Sequence, residues 1–292
     1  MTRTPVRGLI ALLRLPYWLM TGGLSLLTAF AITPLGTLDF KTVLLVFFSM
    51  AFITSAGFSI NDYFDKESDA VIKPQRPIPS GALSLKQVVA ISAFLFTLGL
   101  LFAALINTLS FAILLIDSVL LLIYSALIKK KSGFAANILV GILTGTAFIY
   151  GEATIFNTVS LISLSLYPIA FGTIGGNVLR DVLSREGDAK VGYPTLPLKI
   201  GDKNTVKVGA FFFTACGVLA PLPYLLGTFS IYYLPLILLW SVLLIYSSIR
   251  LITSDTTVAN VRKYERLVTM TMMLLPLSLI LEALSTVIGG LL

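Results

Sequence analysis

The chain alternates long apolar stretches with short polar connections. Nine stretches approach or exceed the roughly 20 mostly apolar residues that a membrane-spanning helix needs. They run near 16–33, 40–61, 88–106, 109–128, 135–154, 161–181, 205–226, 230–250 and 267–289. Only helices satisfy the backbone within so short a lipid-embedded segment. The period-two alternation of a membrane barrel is absent. The pattern predicts an all-α, polytopic membrane protein: nine transmembrane helices around a central cavity, one domain over residues 1–292.

Composition agrees and narrows the field. Of 292 residues, 57% are hydrophobic and 12% charged, about half the usual charged share of a soluble domain. A soluble enzyme, a disordered chain and a disulfide scaffold are excluded. Cys216 is the one cysteine and there is no histidine, which removes intrachain disulfides and histidine chemistry.

The basic residues orient the chain. With Arg3, Arg7 and Arg14 in the cytoplasm, the connections 62–87, 129–134, 182–204 and 251–266 also lie inside. Only Lys41 then falls outside, so 20 of the 21 Lys and Arg share one side. This asymmetry supports both the odd number of spans and the orientation. The net charge of +7 then faces anionic lipid headgroups; nothing implies a nucleic acid or protein partner. Ala29-Phe30-Ala31 has the form of a signal-peptide cleavage site, but the flanking pattern fits an uncleaved first span.

Two acidic segments interrupt the apolar chain, and both fall on the cytoplasmic face. The first is Asn61-Asp62-Tyr63-Phe64-Asp65-Lys66-Glu67-Ser68-Asp69, at the end of the second span. The second is Arg180-Asp181-Val182-Leu183-Ser184-Arg185-Glu186-Gly187-Asp188, at the end of the sixth. If the helix continues, Asn61, Asp65 and Asp69 form one stripe. Like charges four apart repel, but such a stripe suits a hard divalent cation. Mg²⁺ takes one or two carboxylates and completes its shell with water and substrate phosphate. Two stripes facing each other would hold Mg²⁺ against a diphosphate, with nearby Lys and Arg neutralising the remaining charge. Arg76 and Arg180 adjoin the stripes and are candidate phosphate contacts. Glu67 and Glu186 read as solvated loop charges.

At these residues the chain resembles the UbiA superfamily of intramembrane prenyltransferases. The first signature is Asn61-x3-Asp65-x3-Asp69 with Lys73-Pro74-x-Arg76-Pro77-Ile78-Pro79-Ser80-Gly81. The second is Glu186-Gly187-Asp188 with Gly192-x2-Thr195-Leu196-Pro197. The resemblance implies Mg²⁺-dependent transfer of a polyprenyl group from its diphosphate to a lipophilic acceptor. It implies that Asn61, Asp65, Asp69 and Asp188 hold the metals and diphosphate. Many relatives carry Asp where this chain has Ser184; Asp181, one turn earlier, is the candidate substitute. Lys129 after Tyr124-Ser125 looks like the family's diphosphate-contacting lysine, and Arg14 has a similar status. Asp65, Asp69, Asp181 and Asp188 are thus the candidate catalytic residues, with Asn61 as a further metal ligand. Arg14, Arg76, Lys129 and Arg180 are the candidate diphosphate contacts.

The two signatures look most like those of archaeal relatives that add a geranylgeranyl group to geranylgeranylglyceryl phosphate in ether-lipid synthesis. Relatives that prenylate 4-hydroxybenzoate or another quinone precursor share much of both. A secondary transporter is the alternative from another class, but its sites lie near mid-membrane, whereas these acidic clusters lie at one surface. A CDP-alcohol phosphotransferase fails at the motif, because Lys66 follows Asp65 where that family has Gly. Asp117, Glu152 and Glu282 lie within or near spans and are candidates by position alone. Asn137 is expected to face the cavity.

Overall fold

A computed structural model describes residues 4–288; Arg3 lies outside them, as does the last residue of the ninth predicted stretch. Among the described residues, nine helices are long and apolar enough to cross a membrane, and there is no strand. They are α1 (Pro5–Ala31), α2 (Phe40–Phe64), α3 (Leu85–Ile106), α4 (Thr108–Lys131), α5 (Gly133–Phe156), α6 (Leu161–Lys190), α7 (Asp202–Leu225), α8 (Leu234–Thr253) and α9 (Val258–Ser285). Each matches a predicted stretch, extended at the polar ends. The protein is a multi-pass membrane protein.

Several connections are so short that the helix cap is also the turn. Asn107 alone joins α3 to α4: its side chain accepts from the Ser110 N–H and donates to the Ala153 carbonyl. Ser132 joins α4 to α5 and caps the latter. Ser84 and Gln87 form a reciprocal capping box at the start of α3, satisfying backbone donors that a helix end leaves free.

The two halves are packed differently. In α6–α9, bulky side chains such as Phe213, Tyr233, Trp240 and Leu244 build the main apolar core. Gly175 lets α6 approach α7, since a methyl group there would meet the Phe213 ring at 2.8 Å. Around α2–α5 the buried cluster is smaller, with Met50, Ile53, Leu114 and Tyr150 at its centre. There α3 turns Phe94, Leu101 and Leu105 outward, as a lipid-facing helix does.

The connection between α2 and α3 folds over one end of the molecule. It holds a short helix, Lys66–Ile72, and a proline-rich turn. Leu83 packs with Leu12 and Val88, pinning this cap to the first part of α1. The end of α6 and its following loop meet it from the other side, with Gly187 close to Ile72. Both acidic segments therefore lie at the same end. At the opposite end, Glu152 accepts from the Ser160 and Ser163 backbone amides, and Glu282 accepts from the amide and hydroxyl of Ser230. These two acids brace loops far from the acidic segments.

Candidate active site

A cavity of about 260 Å³ opens beneath the cap. It is lined by α1, α2, α4 and α5, with Arg76 from the cap, so four of the nine helices form its walls. Its mouth is polar, with Arg14, Asn61, Arg76 and Lys129. Its walls are apolar or aromatic, with Tyr17, Met50, Ile53, Phe58, Leu121 and Tyr124.

Local backbone features set each side chain at the mouth. α1 breaks at Arg14, which takes a left-handed conformation (φ 50°, ψ 52°) before Pro16 restarts the helix. A non-glycine residue there costs about 1 kcal/mol. The Arg14 guanidinium donates to Asp62 at 2.7 Å and lies 4.4 Å from the Phe58 ring centroid. Lys129 follows a π turn over Tyr124–Ile128, where the Lys129 N–H bonds to the Tyr124 carbonyl. A regular helix continued from Tyr124 would bring Ile128 to the cavity; the wider turn brings Lys129 instead.

The stripe on the first segment is present. α2 ends at Phe64, but backbone bonds from Asp65 to Asn61, Asp69 to Asp65 and Lys73 to Asp69 continue the ladder at 2.8–2.9 Å. Sequence spacing alone suggests repulsion within it; the structure replaces that with pairing. Lys129 pairs with Asp65, Asn61 donates to Asp65 at 2.8 Å, and Arg76 pairs with Asp69 at 2.6 Å. Asp62, outside the stripe, bridges Arg14 and Arg76 (2.7 and 3.1 Å). Burial opposes the charge of Arg76, but Asp62 and Asp69 outweigh it and hold its guanidinium above the ordinary value.

The second segment is built otherwise. Asp181 accepts from the Asn137 amide at 2.8 Å, and Ser184 donates to Asp188 at 2.6 Å. Among the described residues neither Asp181 nor Asp188 forms an ion pair. Arg180 does not join them. One residue from Asp181 is a turn of about 100° on a helix, and Arg180 bonds instead to Glu265 at 3.0 Å and to Asn177. It is half exposed and does not line the cavity, which corrects its expected place among the diphosphate contacts.

Tyr193 ties the two segments together. α6 ends in a Schellman turn: Gly192 has φ +71°, and the Tyr193 N–H bonds to the Asp188 carbonyl at 3.0 Å. That reversal sends the Tyr193 hydroxyl to Asp65 (2.9 Å) and Ser68 (2.8 Å), with the Lys129 ammonium 5.1 Å from its ring centroid. Burial, then the nearby Asp65 charge, raises the Tyr193 phenol above its usual range.

Sequence reasoning missed Asp62 and Tyr193. Asp62 and Asp69 are seven apart and share a helix face, which was the available signal. Tyr193 gave none, because the loop conformation alone carries it to Asp65.

The residues fit a divalent cation of the Mg²⁺ type. The Asn61 side-chain oxygen is buried, beside Asp65, and has no hydrogen-bond partner, leaving an acceptor for a ligand to satisfy. Among the described residues no cluster of three acids, Cys or His forms a ready-made cage. Mg²⁺ needs only one or two carboxylates with water and phosphate.

The profile of the UbiA prenyltransferase family matches residues 23–275. The digeranylgeranylglyceryl phosphate synthase of Natronomonas pharaonis is 36% identical over 229 residues, 78% of this chain and 82% of that one. The enzyme of the same name from Methanocaldococcus jannaschii is 33% identical over 233 residues, 79% and 81% of the two chains. A solved structure of a digeranylgeranylglyceryl phosphate synthase superposes with a TM-score of 0.81 at 29% identity, covering 96% of this chain and 99% of that one. A UbiA homolog from Archaeoglobus fulgidus, bound to GPP and Mg²⁺, shares the fold at TM-score 0.71 and 19% identity over 93% and 99% of the chains.

Proposed function

Because this chain belongs to the UbiA prenyltransferase family and is a membrane prenyltransferase, we propose that it transfers a geranylgeranyl group from its diphosphate to geranylgeranylglyceryl phosphate. The observation that carries this reading is the form of the cavity: a cationic and acidic mouth over an apolar, aromatic interior. A polyprenyl diphosphate has the same division, a charged head on an apolar chain. The names of the relatives over most of the chain support the acceptor.

Arg14, Arg76 and Lys129 present N–H donors at the mouth, where they receive the diphosphate oxygens. Asn61, Asp65 and Asp69 would hold one Mg²⁺ and Asp181 with Asp188 a second, Asp181 serving where Ser184 cannot. When bound, the cations neutralise charge on the departing diphosphate. The allylic carbon–oxygen bond breaks with its electron pair going to the diphosphate. The acceptor hydroxyl oxygen then bonds to that carbon as its proton passes to the released diphosphate. Tyr17, Phe58 and Tyr124 present π faces to the allylic cation, and the apolar walls exclude water. The whole chain acts as one domain, with its N-terminus and cap at the cytoplasmic face, as the basic residues favour.

The test is product analysis with labelled geranylgeranyl diphosphate and Mg²⁺, offering geranylgeranylglyceryl phosphate and 4-hydroxybenzoate in parallel. The expected product is the doubly prenylated glyceryl phosphate. Prenylation of the aromatic acceptor alone would overturn the acceptor assignment, and no transfer to either would overturn the donor as well.

A further inference from the structure

The break in α1 at Arg14 frees a backbone carbonyl just before it. The Tyr17 N–H bonds to the Arg14 carbonyl at 2.9 Å and the Trp18 N–H to the Leu15 carbonyl at 3.0 Å. A regular helix would have sent the Tyr17 N–H to Leu13. The Leu13 carbonyl accepts from two side chains instead. The Trp18 indole N–H reaches it at 3.1 Å and the Ser55 hydroxyl at 2.6 Å. The same indole N–H also donates to the Ser55 oxygen, so the three groups satisfy one another. Ser55 is fully buried on α2, where an unpaired carbonyl or hydroxyl would be costly.

α2 meets the break along one face. Ser55, Phe58 and Asp62 stand at i, i+3 and i+7, which a helix puts in one row. Ser55 holds the Leu13 main chain, the Phe58 ring centroid lies 4.4 Å from the Arg14 guanidinium, and Asp62 accepts from that guanidinium at 2.7 Å. The Trp18 ring is held edge-on by Phe52 and Phe48, with centroids 5.5 and 6.1 Å away. Neither Ser55 nor Trp18 lines the cavity; both grip the chain at the residue before Arg14.

We propose that Ser55 and Trp18 are positioning residues: by clamping the Leu13 carbonyl they fix the turn that delivers Arg14 to the mouth of the cavity. This rests on the prenyl-transfer reading above, in which Arg14 receives diphosphate oxygens. An arginine fixed beforehand loses less ordering entropy on binding. Without the clamp, the arriving diphosphate must order the turn as well as the side chain.

The experiment measures KM for geranylgeranyl diphosphate and for geranylgeranylglyceryl phosphate, with the purified full-length protein in lipid and Mg²⁺. Ser55→Ala should raise the KM of the diphosphate about fivefold, as for one lost hydrogen bond, and leave that of the acceptor within about twofold. Arg14→Gln should raise the diphosphate KM by itself, and adding Ser55→Ala to it should change that KM less than about twofold, because both act through one group. An unchanged diphosphate KM in folded Ser55→Ala, a matching rise in the acceptor KM, or an equal rise with and without Arg14 overturns this inference; the last two are what a merely structural residue would give. If Ser55→Ala does not fold, Trp18→Phe, which keeps an aromatic ring but removes the N–H, is measured in both backgrounds and judged in the same way. Arg14→Gln with an unaltered diphosphate KM overturns the contact assigned to Arg14, and this inference with it. Wild type that transfers nothing overturns the prenyl-transfer reading itself.

Discussion

The two acidic segments lie at the same end of the molecule, yet their charges are handled in opposite ways. In the first, Asp62, Asp65 and Asp69 are buried and each is paired with Arg14, Arg76 or Lys129. In the second, among the described residues, Asp181 and Asp188 take hydrogen bonds from the neutral Asn137 and Ser184, while Arg180 and Arg185 turn away to Glu265 and Asp202. The first segment is an electrostatically closed lattice, whereas the two acids of the second are held by hydrogen bonds from uncharged side chains. The first thus contributes to the fold, because its pairs hold α1, α2, α4 and the cap together. On the proposed function, the second would hold a cation at little structural cost.

That contrast predicts a separation between activity and stability. Asp65→Asn should have the largest effect, slowing Mg²⁺-dependent prenyl transfer about 10²–10³-fold, the equivalent of roughly 3–4 kcal/mol. It should also lower stability by about 1–3 kcal/mol, because Lys129 loses its carboxylate. Glu67→Gln on the exposed face of the cap is the control for both, measured by product formation and thermal unfolding. Asp181→Asn should slow transfer about 10–100-fold, or roughly 1.4–2.7 kcal/mol, with an unchanged unfolding midpoint. An equal loss of stability in Asp65→Asn and Asp181→Asn would break the comparison.

Smaller effects sharpen it. Tyr193→Phe removes the hydroxyl that links the segments. It should reduce turnover about fivefold, for a hydrogen bond worth roughly 1 kcal/mol, and raise the Mg²⁺ concentration needed for half-maximal rate. A Mg²⁺ titration unaltered by the change would argue against any bridging role. Arg180→Gln should do least, within about twofold in rate, since it breaks only a half-exposed surface pair. A large rise in the KM for the prenyl diphosphate would return Arg180 to the binding site.

The membrane architecture was legible in the sequence because lipid demands long uninterrupted apolar helices, and their ends could be found from charge. The candidate metal stripe was legible for a related reason: α2 continues almost regularly through Asp65, so spacing mapped onto one face. Residues whose position depends on irregular backbone were not. Arg180 stands next to Asp181 in sequence, but helical rotation sends the two to different neighbours. Tyr193 is five residues beyond Asp188 and reaches Asp65 only through the turn at Gly192. Asp62 was overlooked because its partners, Arg14 and Arg76, come from other parts of the chain. Asp117 could be flagged as costly, and the structure places it in the wall of the cavity.

The π turn in α4 has a genetic consequence. It amounts to one residue inserted between Tyr124 and Lys129 without disturbing which way either faces. Deleting a single residue within 125–128 would let the turn close into a regular helix, with Lys129 now four positions after Tyr124 and on the same wall. The same lesion between Asp117 and Tyr124 would rotate the two ends of α4 against each other by about 100° and carry the lysine away from the cavity or Asp117 out of its lining. Lineages could therefore gain or lose that one codon while keeping the lysine, and an alignment gap at this point of α4 would mark a change of helical pitch rather than a lost contact.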